Sequence, residues 1–233
     1  MKLCVALDLE QKEENIKLLK QLKDFSQLWV KVGLRSFIRD GKDFLDSIRQ
    51  INPDFKIFLD LKLYDIPNTM QDAINECLKF NIDMLTIHTS SGRVAMQELM
   101  QSLKMHKNPP LIMGVTALTS FDSKIFEEIY HSDINNQTIH LSKMAYESNL
   151  DGVVCSVYES LMIKNSTNKE FLTLTPGIRP FNEDNNDQKR VATIQQAFLN
   201  QSDFIVVGRP IYKNNNPLEI VKKIYEEISR CKS

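Results

Sequence analysis

A chain of 233 residues, with 42% apolar and 25% charged residues, has the balance of a globular protein with a sizeable core. Its formal net charge of −1 and lack of a long basic block give no reason to expect nucleic acid or an anionic membrane as a partner. No apolar stretch approaches the roughly 18 residues of a membrane span. The four cysteines and four histidines are scattered, which fits neither a disulfide framework nor a zinc site. The chain opens on a short apolar run that meets Asp8, unlike a signal peptide, and the expectation is a reduced, cytoplasmic protein.

Along the chain, short apolar runs alternate with longer stretches of helical period. Strands are expected at 3–9, 29–33, 56–63, 84–89, 110–118, 152–157, 171–175 and 204–207. Helices are expected between them, among them 12–25, 37–51, 68–80, 94–106, 137–148, 190–200 and 218–229. In the third of these, Pro67 is a plausible starter, and Ala73, Ile74, Cys77, Leu78 and Phe80 form an apolar stripe. Eight such strands imply a parallel sheet covered on both faces, an α/β fold. A single (β/α)8 TIM-type barrel domain over residues 1–233 matches count and length. A doubly wound open sheet is the structural alternative. It would put a glycine-rich turn after the first strand, where Asp8-Leu9-Glu10 stands.

The third strand carries the strongest chemical signal, Ile57-Phe58-Leu59-Asp60-Leu61-Lys62-Leu63-Tyr64-Asp65. Alternation points Ile57, Leu59, Leu61 and Leu63 toward the helices, and Phe58, Asp60 and Lys62 into the barrel. Cys4, Ala6 and Asp8 share the inward face of the first strand; Trp29, Lys31 and Gly33 share that of the second. Asp8, Lys31, Asp60 and Lys62 therefore converge on the rim where barrel enzymes place their chemistry. An ion network that merely fixes register is the alternative, and the desolvation cost of four charges weighs against it.

The strand-seven turn, Thr175-Pro176-Gly177-Ile178-Arg179-Pro180, and the strand-eight turn, Val207-Gly208-Arg209-Pro210, each offer a glycine and an arginine. These are the loops where barrels frequently hold phosphate, so the pair points to a phosphorylated small molecule. Thr116, Thr119 and Ser120, after strand five, could contact a ligand or cap the next helix. His88 and Trp29 read as core. The polar stretch 181–188 reads as a surface loop, or a lid over the site.

Asp60-Leu61-Lys62-Leu63-Tyr64-Asp65-Ile66-Pro67-Asn68-Thr69 resembles the DxKxxDIPxT signature of the orotidine 5′-phosphate decarboxylase family. Ala6-Leu7-Asp8, Lys31-Val32-Gly33, the Pro-Gly-Ile-Arg turn and Gly208-Arg209-Pro210-Ile211 follow in the family order, so the resemblance spans nearly the whole chain. Two positions differ: Thr89-Ser90-Ser91-Gly92 stands where a more glycine-rich turn is expected, and Ile194 where members often have proline.

The resemblance implies decarboxylation of orotidine 5′-monophosphate (OMP) to UMP, a step of pyrimidine biosynthesis, with no cofactor and no metal. Lys62 would protonate the C6 carbanion, Asp60 would lie beside the departing carboxylate, and Lys31 would join the charged chain. Asp65 would reach the site of a second subunit, making the working unit a homodimer. Asp8 and Thr69 would hold ribose hydroxyls, with Ile66 beside them among the substrate contacts. Thr119 and Ser120 would meet the base, and Gln188, Gly208 and Arg209 the phosphate, with Arg179 adjoining. The 181–188 segment would be the lid that phosphate binding closes. Two alternatives stay open. One is a magnesium-dependent sugar-phosphate decarboxylase or lyase of the same superfamily, which would need an acidic ligand near strand two where Lys31 stands. The other is a barrel that only binds a phosphorylated ligand.

Overall fold

The computed structural model describes residues 1–181 and 190–231. In chain order the elements are β1 (Lys2–Ala6), α1 (Lys12–Gln21), β2 (Trp29–Gly33), α2 (Leu34–Ile51), β3 (Lys56–Leu63), α3 (Pro67–Leu78), β4 (Met84–His88) and α4 (Gly92–Leu103). There follow β5 (Leu111–Val115), α5 (Ser123–Tyr130), α6 (Ile134–Glu147), β6 (Gly152–Val154), α7 (Val157–Ser166), β7 (Leu172–Thr175), α8 (Ile194–Leu199), β8 (Phe204–Val207), α9 (Arg209–Tyr212) and α10 (Pro217–Arg230).

The strands form one closed parallel barrel in sequence order, and β1 meets β8 with Cys4 opposite Val206 and Val5 opposite Val207. Closure removes sheet edges, so every strand is covered on both faces and reads as an apolar run. Alternation then sorts the side chains into two cores. Leu3, Val5, Ile57, Leu59, Ile205 and Val207 pack outward against the helices. Cys4, Ala6, Trp29, Phe58, Met84, Phe204 and Val206 fill the interior, where Trp29 meets Phe204 edge-on at 5.1 Å.

The helices start where local chemistry predicts. Pro67 opens α3, where its missing N–H has no intrahelical partner to lose, and Met70, Ile74 and Cys77 form the buried stripe. Asn216 caps α10 by accepting the Glu219 amide N–H, and Val221, Ile224 and Ile228 face the core. Strands five and six are shorter than their apolar runs, 110–118 and 152–157, because the later residues are buried by other means. Ala117 packs with Phe126 and Ile134, and Val157 is the first residue of α7.

Candidate active site

The carboxyl ends of the strands open on a cavity of about 290 Å³, lined by Asp8, Lys31, Asp60, Lys62, Thr119, Ser120, Gly177, Arg179, Gly208 and Arg209. These expected site residues come from six separate segments of the chain but meet at one mouth. Interior apolar side chains, Ala6, Phe58, Val154, Leu174 and Val206, complete the lining.

The four charges form a continuous chain. Lys31 Nζ lies 3.0 Å from Asp8 Oδ1 and 3.7 Å from Asp60 Oδ2, and Lys62 Nζ donates to Asp60 Oδ1 at 2.7 Å. Burial pushes the Asp60 carboxyl upward, but Lys31, Lys62 and the hydrogen bonds from Lys62 and Thr86 outweigh it and hold it below the usual range. Burial likewise pulls the Lys31 ammonium down, and Asp60 and Asp8 reverse that, leaving it raised. Both groups are thus kept ionised where an isolated charge would be neutralised. The Lys31 ammonium stands between the Asp8 and Asp60 carboxylates, the acids among the described lining residues, in the position a bridging cation would need.

Backbone geometry makes room for this chain. A Cβ on Gly33 would lie 2.9 Å from Lys31 Nζ and 3.3 Å from Asp8 Oδ1, so the bare backbone there lets the pair form. On β3 the ladder is interrupted: Leu59 pairs with Leu85, but Leu63 pairs with Ile87. Four steps along β3 therefore face two along β4, a bulge centred on Asp60, Leu61 and Lys62. Within it Lys62 adopts φ 51°, a left-handed conformation that costs a non-glycine residue about 1–2 kcal/mol. Bulges of this kind re-aim side chains beside active sites.

At the turn after β7, Gly177 takes φ 79° and Arg179 is buried, donating from one guanidinium nitrogen to the Ile178 carbonyl at 3.0 Å. The returning segment holds the turn in place. The Arg179 amide donates to the Ala192 carbonyl at 2.9 Å, and the Ala192 amide to the Gly177 carbonyl at 3.2 Å. Thr119 and Ser120 line the cavity, and the cap of α5 is Asp122, whose carboxylate accepts the Ile125 amide N–H. Thr116 is committed elsewhere: its hydroxyl is buried and donates to the Val154 carbonyl. His88 accepts the Ser90 amide N–H, and burial and then Lys62 lower its pKa.

Asp65, Ile66 and Thr69 are exposed and lie outside this cavity, on the segment that leads into α3. Gln188 and most of the 181–188 loop lie outside the described residues.

Three residues escaped the sequence reading. Thr86 donates to Asp60 Oδ1 at 2.9 Å and accepts the Lys62 amide N–H at 3.0 Å. It is a polar residue between Met84 and His88 on the inward face of β4, and alternation alone could have singled it out. Glu159 closes the capping box of α7, where its carboxylate accepts the Ser156 amide N–H at 2.7 Å and pairs with Arg190. Arg190 also donates to the Leu118 carbonyl at 3.2 Å, which ties the start of α7 to the strand-five loop. Residue 190 was expected to begin a helix, but α8 starts at Ile194 behind the Thr193 cap.

Comparison with known proteins places the chain in a family. Residues 1–224 match the family described as Orotidine 5'-phosphate decarboxylase / HUMPS family. The chain is 59% identical to a protein named orotidine 5'-phosphate decarboxylase from Nitratiruptor sp. over 96% of this chain and 98% of that one. It is 58% identical to one of the same name from Helicobacter pylori, over 97% of this chain and 100% of that one. Its fold is similar to the crystal structure of orotidine 5'-phosphate decarboxylase from Lactobacillus acidophilus, with TM-score 0.84 and 33% identity, covering 97% of this chain and 98% of that one. With the family signature on β3 and full-length relatives above half identity, the chain belongs to the orotidine 5′-phosphate decarboxylase / HUMPS family.

Proposed function

We propose that this chain decarboxylates OMP to UMP and CO2. The observation that carries this reading is the Asp8–Lys31–Asp60–Lys62 chain of ion pairs in a cavity whose other lining includes two arginine turns suited to phosphate.

In the proposed reaction the bond between C6 and the carboxylate breaks, CO2 departs, and the electron pair stays on C6. The Lys62 ammonium lies near that carbon, stabilises the developing charge and gives it a proton; the neutral amine regains one from solvent. Preorganised charge is worth more in a closed apolar site than in water, and Phe58, Val154 and Leu174 supply such walls. Asp60, itself paired with Lys31, holds the Lys62 ammonium in place. Arg179, Gly208, Arg209 and Gln188 take the phosphate, whose binding energy orients the ring. Asp8 takes a ribose hydroxyl, and Thr119 and Ser120 meet the base. The reaction as proposed draws on no cofactor or metal.

The working unit in this reading is one barrel domain per chain, paired as a homodimer. Asp65, with Ile66 and Thr69, reaches the partner's cavity. Tyr64 and Ile66, which flank Asp65, are 64% and 67% exposed, an apolar surface that a second copy would cover. A cytoplasmic setting fits the four free cysteines, three of them buried. Purified chain incubated with OMP should yield UMP and CO2 in equal amounts; intact OMP after prolonged incubation would rule the activity out.

A further inference from the structure

We infer that Thr86 is a positioning residue for the decarboxylation, holding the Lys62 backbone and the Asp60 carboxylate in one fixed relation through a single hydroxyl. This inference rests on the proposed OMP decarboxylase reading.

The bulge in β3 creates the need. Where Leu59 and Leu63 pair with Leu85 and Ile87, three β3 residues, Asp60, Leu61 and Lys62, stand opposite Thr86 alone. A regular ladder does not run through that stretch, and the amide N–H of Lys62 still needs a partner in a partly buried place. The Thr86 side chain takes the part of a ladder carbonyl by accepting that N–H at 3.0 Å. A hydroxyl has one proton to give and two lone pairs to receive. Thr86 directs its proton to Asp60 Oδ1 at 2.9 Å, the same oxygen that Lys62 Nζ reaches at 2.7 Å.

Lys62 is thus held at both ends: its amide by Thr86, and its ammonium by a carboxylate that Thr86 also holds. The loop of contacts keeps Lys62 at φ 51°, a conformation lysine does not adopt without outside constraint. Thr86 is fully buried, and its neighbours on β4 fix it further: Leu85 and Ile87 are anchored in the outer core and Met84 in the inner one. A residue that touches no substrate can therefore set where the proton donor stands.

The test uses Thr86→Val, Thr86→Ser and Thr86→Ala in the full chain. Valine keeps the volume and loses both hydrogen bonds; serine keeps both bonds and loses a methyl; alanine loses both bonds and the volume. The expected result is a fall in kcat of about a hundredfold for Thr86→Val, the scale of a misplaced catalytic group. UMP affinity should stay within about threefold, because the contacts to ribose and phosphate are separate. Thr86→Ser should recover most of kcat, and Thr86→Ala should resemble valine. Should valine fail to fold, the serine and alanine pair decides. Serine as impaired as alanine, or valine as active as wild type, would overturn the inference and leave the decarboxylase reading standing. A wild-type chain inert toward OMP would overturn that reading first, and the inference with it.

Discussion

Lys62 carries two costs that folding alone does not explain, a left-handed backbone and a charge brought among apolar walls. Both are repaid only if its ammonium must stand at one place. Lys62→Ala should abolish turnover while UMP binding and the thermal transition are retained; substantial residual turnover would remove Lys62 as the proton donor. Gly33 gives a finer test. Because an added Cβ would sit 2.9 Å from Lys31 Nζ, Gly33→Ala should displace that ammonium and lower kcat about tenfold, while φ −91° leaves the backbone free to accept alanine. Unchanged kcat in a folded variant would show that the Lys31–Asp8 contact is dispensable.

Acid should weaken the same cluster. Asp60 is held below its usual range in the folded chain, so its contribution to stability is present above the ordinary carboxylate pKa of about 3.9 and is lost as pH falls through the lower folded value. The stability gap between wild type and Asp60→Asn, followed by urea unfolding, should therefore narrow as the pH drops below about 4. A gap that widens on acidification would mean the sign is wrong.

At the level of elements, the sequence was readable wherever period and burial agreed. Strand alternation assigned the inward faces of β1 and β2 correctly, and it placed Asp60 and Lys62 inward on β3. The bulge was not legible, because a change of register depends on how β4 pairs, and the β3 residues alone do not record it. Helix α7 was hidden for another reason: its buried face includes Glu159, Ser160 and Lys164, so no apolar stripe marks it. Those polar groups are satisfied only in three dimensions. Lys164, almost fully buried, donates to the Lys169 and Phe171 carbonyls and pairs with Asp203 at 2.8 Å.

Asp203 belongs to a device repeated just ahead of three of the four even strands. Asp83, Asp151 and Asp203 precede β4, β6 and β8, and their carboxylates accept the amide N–H groups of Ile57, Ile112 and Thr173 on the strands before. Contacts at the amino-terminal face of a barrel serve stability rather than chemistry. Asp203→Ala should cost about 3 kcal/mol in urea unfolding by leaving the Lys164 ammonium unpaired, with kcat unchanged at a temperature where the variant is folded. A large loss of kcat with little loss of stability would contradict that division of labour.

For the molecule as a whole, one barrel does not gather every residue that the family signature names. Asp65, Ile66 and Thr69 follow directly on β3 yet lie exposed, outside the cavity of their own chain. A second copy would account for that placement. Asp60→Asn and Asp65→Asn proteins, each inactive alone, should regain partial activity once mixed and allowed to exchange subunits, since one mixed site receives both intact residues. No recovery after exchange is demonstrated would leave Asp65 without a role across the interface. The central claim is that charge built into the chain itself drives decarboxylation through Lys62. Its most direct test follows the fall in orotate absorbance when the protein meets OMP with excess EDTA present, beside the Lys62→Ala variant. Rapid loss in wild type and none in the variant is the predicted result; no loss in EDTA, with turnover of a sugar phosphate once magnesium is restored, would contradict it.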